Sequence, residues 1–126
     1  MDKIIIILDD EPLTEKGFRS TVENLEEYYN DEVSVKIFQE ILDCWKFIKE
    51  NHEQVIMIFC DLLMPEADGI TFLHQVSATY PDIRLILMSG GEIDTNVLNE
   101  NKFLSDYVSK DKLHLKIPDI VKDVLK

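Results

Sequence analysis

Three runs in this chain, Ile4–Leu8 (IIIIL), Val55–Cys60 (VIMIFC) and Ile83–Met88 (IRLILM), are almost wholly apolar and rich in β-branched residues. A strand with one wet face alternates apolar and polar residues, so runs like these require cover on both faces. Two further short runs, Val33–Phe38 and Leu104–Val108, also predict strands. Between the runs, apolar residues return every three or four positions, the spacing of a helix with one buried stripe. Leu13-Gly17-Phe18-Thr21-Val22-Leu25-Tyr28, Ile41-Cys44-Trp45-Ile48 and Ile70-Leu73-His74-Ser77 each follow it. Val97, Leu98 and Asn101 predict a short fourth helix. Ile117-Ile120-Val121-Val124-Leu125 predicts a fifth, with Pro118 in its first turn, where a missing N–H costs nothing. Five strands alternating with five helices imply a parallel sheet sandwiched between helices, joined by right-handed crossovers. The chain therefore reads as one α/β domain over residues 1–126.

Composition narrows the function. The formal net charge is −12, from 25 acids against 13 Lys plus Arg. Such a surface repels a phosphate backbone and an anionic bilayer alike, so direct nucleic-acid and membrane binding are not expected. No apolar run approaches the roughly 18 residues of a spanning helix. The opening MDKIIIILDDE ends its apolar run in acids and does not read as a secretory leader, so a cytoplasmic location is expected. Cys44 and Cys60 form no CxxC pair, disulfide framework or zinc spacing. Cys60 and Trp45 read as packing residues, and His52, His74 and His114 are scattered.

In a parallel sheet of this kind, sites form beyond the carboxyl ends of the strands. Strand 1 ends in Asp9-Asp10-Glu11, strand 3 in Asp61, strand 4 in Ser89-Gly90-Gly91 and strand 5 in Ser109-Lys110. Converging carboxylates repel one another and need cations. Lys110 supplies one positive charge and a divalent ion would supply two more. All-oxygen donors suit a hard ion such as Mg²⁺. A phosphoryl group fits such a site, its oxygens met by metal, Lys110, the Ser89 hydroxyl and loop N–H groups. The chain has no GxxxxGK[ST] loop to cradle a nucleotide, so the phosphoryl group belongs on the protein itself, with a carboxylate as nucleophile. Asp9-Asp10-Glu11 followed by Pro12 also suits the start of helix 1, and Asp68-Gly69 reads as turn chemistry entering helix 3.

Taken in order, Asp9-Asp10, Asp61 in CDLLMPEADG, Ser89-Gly90, and Tyr107 three residues before Lys110 resemble a response-regulator receiver domain of two-component signalling, along the whole chain. The resemblance, not the periodicity, implies a flavodoxin-like (βα)5 sandwich with strand order 2-1-3-4-5. It implies that Asp61 accepts a phosphoryl group from a histidine kinase or phosphotransfer protein. Asp10, Asp61 and the Leu63 carbonyl would hold Mg²⁺ or Mn²⁺, with Asp9 acting through water. Lys110 would pair with phosphoryl oxygens, alongside backbone N–H groups of Leu62, Leu63 and Gly90. Ser89 would swing onto the phosphate and Tyr107 would turn inward, altering the helix 4/strand 5/helix 5 surface for an effector, an output domain or a second copy. The only reactions implied are phosphorylation and dephosphorylation of the chain itself.

Three positions depart from the family pattern. Asp111 follows Lys110 where proline is usual, Leu63 stands two residues past Asp61, and Gly91 stands two past Ser89. The last two flank the path of an attacking water, so acyl-phosphate lifetime should differ from that of relatives. A phosphate-independent pseudo-receiver is the alternative reading. An aspartyl-phosphate hydrolase is disfavoured, because Asp61 lacks a second acid two residues on. Only one residue follows Leu125, so the chain is expected to be either a stand-alone protein that acts by binding a partner or a fragment of a longer regulator or hybrid kinase.

Overall fold

The computed structural model describes residues 3–10, 23–27, 32–64, 68–91 and 94–124, the side chain of His114 excepted. In chain order the elements are β1 (Lys3–Leu8), α1 (residues 23–27 described), β2 (Val33–Phe38), α2 (Ile41–Asn51) and β3 (Val55–Asp61). There follow α3 (Gly69–Thr79), β4 (Arg84–Ser89), α4 (Asn96–Glu100), β5 (Asp106–Ser109) and α5 (Leu113–Val124). Most of the predicted first helix, with Glu11 and Pro12, lies outside the described residues, as do 65–67, 92–93 and Leu125.

The five strands form one parallel sheet in the order β2-β1-β3-β4-β5, as the resemblance implied. The three apolar runs occupy its centre: Ile4–Leu8, Met57–Cys60 and Leu85–Met88 are all buried. Two apolar layers result. Alternate strand residues pack on one face against Cys44 and Ile48 of α2 and Phe72, Leu73 and Val76 of α3, with Val97 and Leu98 of α4 at its margin. The others pack against Leu25 of α1 and Leu113, Ile117 and Val121 of α5. Helices on both faces explain why the central strands carry no polar alternation. Trp45 is a packing residue as expected, edge-on to Phe72 at 5.9 Å.

The register is not uniform. Ile4 pairs with Val55, but Ile5 pairs with Met57, so Ile56 stands unpaired against β1. From there the pairing runs true to Leu8 opposite Cys60. A one-residue slip decides which residues are neighbours at the strand ends.

Two boundaries differ from the sequence expectation. Leu104 is buried but precedes β5; Ser105 N–H donates to the Leu85 carbonyl (2.7 Å), so Leu104 plugs the core from a turn. Helix α5 begins at Leu113, a turn earlier than predicted, because Leu113 joins Ile117 and Val121 in one buried stripe. Pro118 therefore lies inside the helix, not in its first turn. As expected, α4 is short at five residues, and Asp94 sets its start by accepting from the N–H of Asn96 (2.9 Å).

Candidate functional site

The pairing of β1, β3, β4 and β5 delivers the charged residues to one place. Leu8 lies opposite Cys60, so the next residues, Asp9 and Asp61, stand side by side. Asp61 pairs with Met88, which puts Ser89 one step beyond, and Ser89 pairs with Ser109, which puts Lys110 one step beyond that. Lys110 Nζ lies 2.9 Å from Asp9 Oδ2 and 2.9 Å from Asp61 Oδ2. Asp10 completes the group, with one oxygen from each of Asp9, Asp10 and Asp61 falling within 4.8 Å of the others. Asp9 and Asp61 are buried and Asp10 is exposed, so the cluster opens outward through Asp10.

Three carboxylates with one lysine, which contacts Asp9 and Asp61, carry a net negative charge, and the ionisation behaviour follows. Burial raises the Asp61 carboxyl above its ordinary value; Lys110 and the Leu63 N–H pull it down, while Asp9 pushes it further up. Burial draws the Lys110 ammonium down, but its bonds and charge contacts with Asp9 and Asp61 outweigh that, and Lys110 is raised overall. The lysine is thus held charged, while Asp61 still lacks full compensation. Oxygen donors that are close, anionic and short of positive charge fit a hard divalent cation, so the residues present suit Mg²⁺.

Asp111 does not divert Lys110. Lys110–Lys112 form a single 3-10 turn leading into α5, closed by the Leu113 N–H donating to the Lys110 carbonyl. Asp111 is exposed there while Lys110 points inward.

The loop after Asp61 is tied at several points. Leu62 N–H donates to the Met88 carbonyl (2.8 Å), Gly69 N–H donates to the Leu62 carbonyl (2.7 Å), and Leu63 pairs with Asp68 in an isolated antiparallel bridge. Asp68 caps α3 by accepting from the Thr71 N–H (2.7 Å), which bears out the turn reading of that residue. Leu63 itself is 74% exposed, an apolar side chain at the rim of the acidic cluster. Reading the sequence missed two contacts on the backbone of Asp61. The Cys60 thiol, pushed up by burial and so kept protonated, donates to the Asp61 carbonyl at 3.3 Å. Gly69 sits directly against that same carbonyl. The only sequence signal for either was the glycine after Asp68, which turn chemistry already accounted for.

On the other side of the pocket, Ser89 is half-buried and its Oγ accepts from the Gly91 N–H at 3.2 Å. Tyr107 is buried among the residues on the α2/α3 face of the sheet. Beside it opens a cleft of about 640 Å³ bordered by Gly90, Gly91, Asp106, Tyr107, Lys112 and Lys116. No helix among the described residues is long and apolar enough to cross a membrane.

Residues 5–122 match the family model of the response regulator receiver domain. Among solved structures, the chain is similar to the signal receiver domain of an HD domain-containing protein from Pseudomonas fluorescens Pf-5. That match has a TM-score of 0.78 and 16% identity, and covers 99% of this chain and 95% of that one. The BeF3-activated DrrB receiver domain matches with a TM-score of 0.70 and 24% identity over 99% and 98% of the two chains. At these identities the structures speak to the fold. Among curated sequences, sensor kinase CckA of Brucella abortus (strain 2308) is 35% identical over 49 residues, which span 39% of this chain and 5% of that protein.

Proposed function

The chain belongs to the response regulator receiver domain family, and from that premise we propose that it is a phosphorylation switch whose phosphoacceptor is Asp61. The observation that carries the reading is the meeting of Asp61, Asp9 and Asp10 with Lys110 at one end of the sheet. A carboxylate oxygen of Asp61 attacks the phosphorus of a phosphohistidine on a kinase or phosphotransfer protein. The new O–P bond forms as the N–P bond breaks, and the imidazole nitrogen keeps the electron pair and takes up a proton.

Asp10, Asp61 and the Leu63 carbonyl would hold Mg²⁺, with Asp9 nearby. When bound, the ion supplies positive charge that offsets phosphoryl oxygens. Lys110, fixed by its two carboxylate contacts, presents an ammonium to the same oxygens. Of the expected loop donors, the Leu63 N–H already reaches the Asp61 carboxylate, whereas the Leu62 N–H is taken by the Met88 carbonyl and is not a phosphate donor. The Ser89 hydroxyl exchanges its Gly91 contact for the phosphoryl group. Ser89 and Tyr107 then carry the charge change to the α4/β5/α5 surface, where the cleft beside Tyr107 offers a partner-facing feature.

Incubation with acetyl phosphate and Mg²⁺, followed by intact-mass measurement, tests the proposal. The expected result is a one-phosphoryl mass gain on wild type that is absent in Asp61→Asn. An unmodified wild type that also fails to bind Mg²⁺ overturns the switch and leaves a phosphate-independent interaction module.

A further inference from the structure

Gly69 is the first residue of α3 and is buried. Its backbone conformation is one that any residue adopts, so space and not φ excludes a side chain there. A Cβ at this position would stand 2.1 Å from the carbonyl oxygen of Asp61, 3.0 Å from its carbonyl carbon and 3.2 Å from the Sγ of Cys60. Carbon–oxygen contacts between backbones sit at about 3.3–3.6 Å, so relief requires a displacement of about 1 Å. The opposing atoms are backbone, and no side-chain rotation absorbs that shift. By contrast, a Cβ at Gly90 meets nothing within 4 Å, and one at Gly91 only the Ser89 hydroxyl at 4.0 Å. Among the described glycines, Gly69 is therefore the one that leaves no space for a side chain.

The contact falls on the residue read as the nucleophile, and it is not isolated. Gly69 N–H holds the Leu62 carbonyl, the Cys60 thiol holds the Asp61 carbonyl, and Leu62 N–H anchors the strand end to β4. Building on the phosphoacceptor reading above, we infer that Gly69 is a positioning residue for that site. By letting α3 close onto the Asp61 carbonyl, it sets where the Asp61 carboxylate and the Leu63 carbonyl face the pocket. Gly69 touches no reacting atom and acts through the backbone of Asp61.

Gly69→Ala tests this in the full chain, with Mg²⁺ affinity read by calorimetry and phosphorylation from acetyl phosphate read by intact mass. A shift of about 1 Å at a reacting group lowers the phosphorylation rate by about 100-fold. Disturbing the supports of a metal site weakens Mg²⁺ binding by about 10-fold. Val76→Ala provides the control. Val76 is a fully buried α3 residue on the same sheet face, and its truncation loosens the helix without touching Asp61. If Gly69→Ala is poorly folded, both readings are taken in trimethylamine N-oxide, which favours the compact state. Weaker Mg²⁺ binding and slower labelling in Gly69→Ala, with both retained in Val76→Ala, support the inference. An Mg²⁺ affinity unchanged in Gly69→Ala, or lost equally in Val76→Ala, overturns it. If wild type takes up neither Mg²⁺ nor phosphoryl, the phosphoacceptor reading itself fails and this inference falls with it. If wild type does both and Gly69→Ala matches it, only the inference falls.

Discussion

Lys110 bridges the carboxylates of Asp9 and Asp61, and its removal should be costly. Asp9 is 1% exposed and the Asp61 side chain 9%, so Lys110→Met leaves two buried like charges facing each other. Breaking such an arrangement from one side costs about 3 kcal/mol, and urea unfolding at neutral pH should show a loss of that order. Added Mg²⁺ should restore part of it by binding only the folded form. The pH dependence follows from Asp61, raised above its ordinary value of 3.8. With a raised carboxyl, the ionised form costs stability above the folded-state pKa, and that cost disappears as pH falls below it. Proton and metal compete for the same oxygens, so calorimetry should show Mg²⁺ affinity holding near neutral pH. It should then fall as pH descends, starting above the ordinary carboxylate range. Asp61, Asp9 and Lys110 were all legible as residues, since lone charges ending apolar runs are poorly explained by solubility alone. Gly69 was not, because its importance lies in the distance to a carbonyl eight positions away.

At the scale of elements, the largest revision concerns α5. Pro118 falls in the helix interior, where it removes the N–H that would bond the His114 carbonyl. An interior proline costs about 3 kcal/mol relative to alanine, and Pro118 is exposed. Pro118→Ala should raise unfolding stability by about 1–3 kcal/mol in urea titration, with Mg²⁺ binding unchanged. The sequence misled here because the apolar stripe was read from Ile117, while Leu113 already begins it. A second element-level feature is the slip at Ile56. Had Ile4–Val55 pairing continued in step, Leu8 would lie opposite Phe59 and Asp9 opposite Cys60. The extra residue near the start of β3 brings Asp9 alongside Asp61. Strand alternation gave no sign of it, since Ile56 and Met57 are both apolar.

Over the whole molecule, the net charge of −12 is a standing load on stability. Raising NaCl from about 0.01 M to about 0.15 M shortens the screening length from about 30 Å to about 8 Å. Without Mg²⁺, the thermal midpoint should rise by roughly 4 °C, corresponding to about 1 kcal/mol of relieved self-repulsion. A midpoint that stays flat would mean that opposite charges are locally well paired. The apolar runs were enough to dictate a parallel sheet covered on both faces, because only burial on two sides tolerates strands such as Ile4–Leu8 and Val55–Cys60. They were also enough to nominate every charged residue of the site, because each stands where a run ends. What the chain alone left open was how those ends align. The slip at Ile56, the turn that aims Lys110, and the closure of α3 on Asp61 through Gly69 depend on contacts between residues far apart in sequence. Such contacts are fixed by packing distances, which no local pattern encodes.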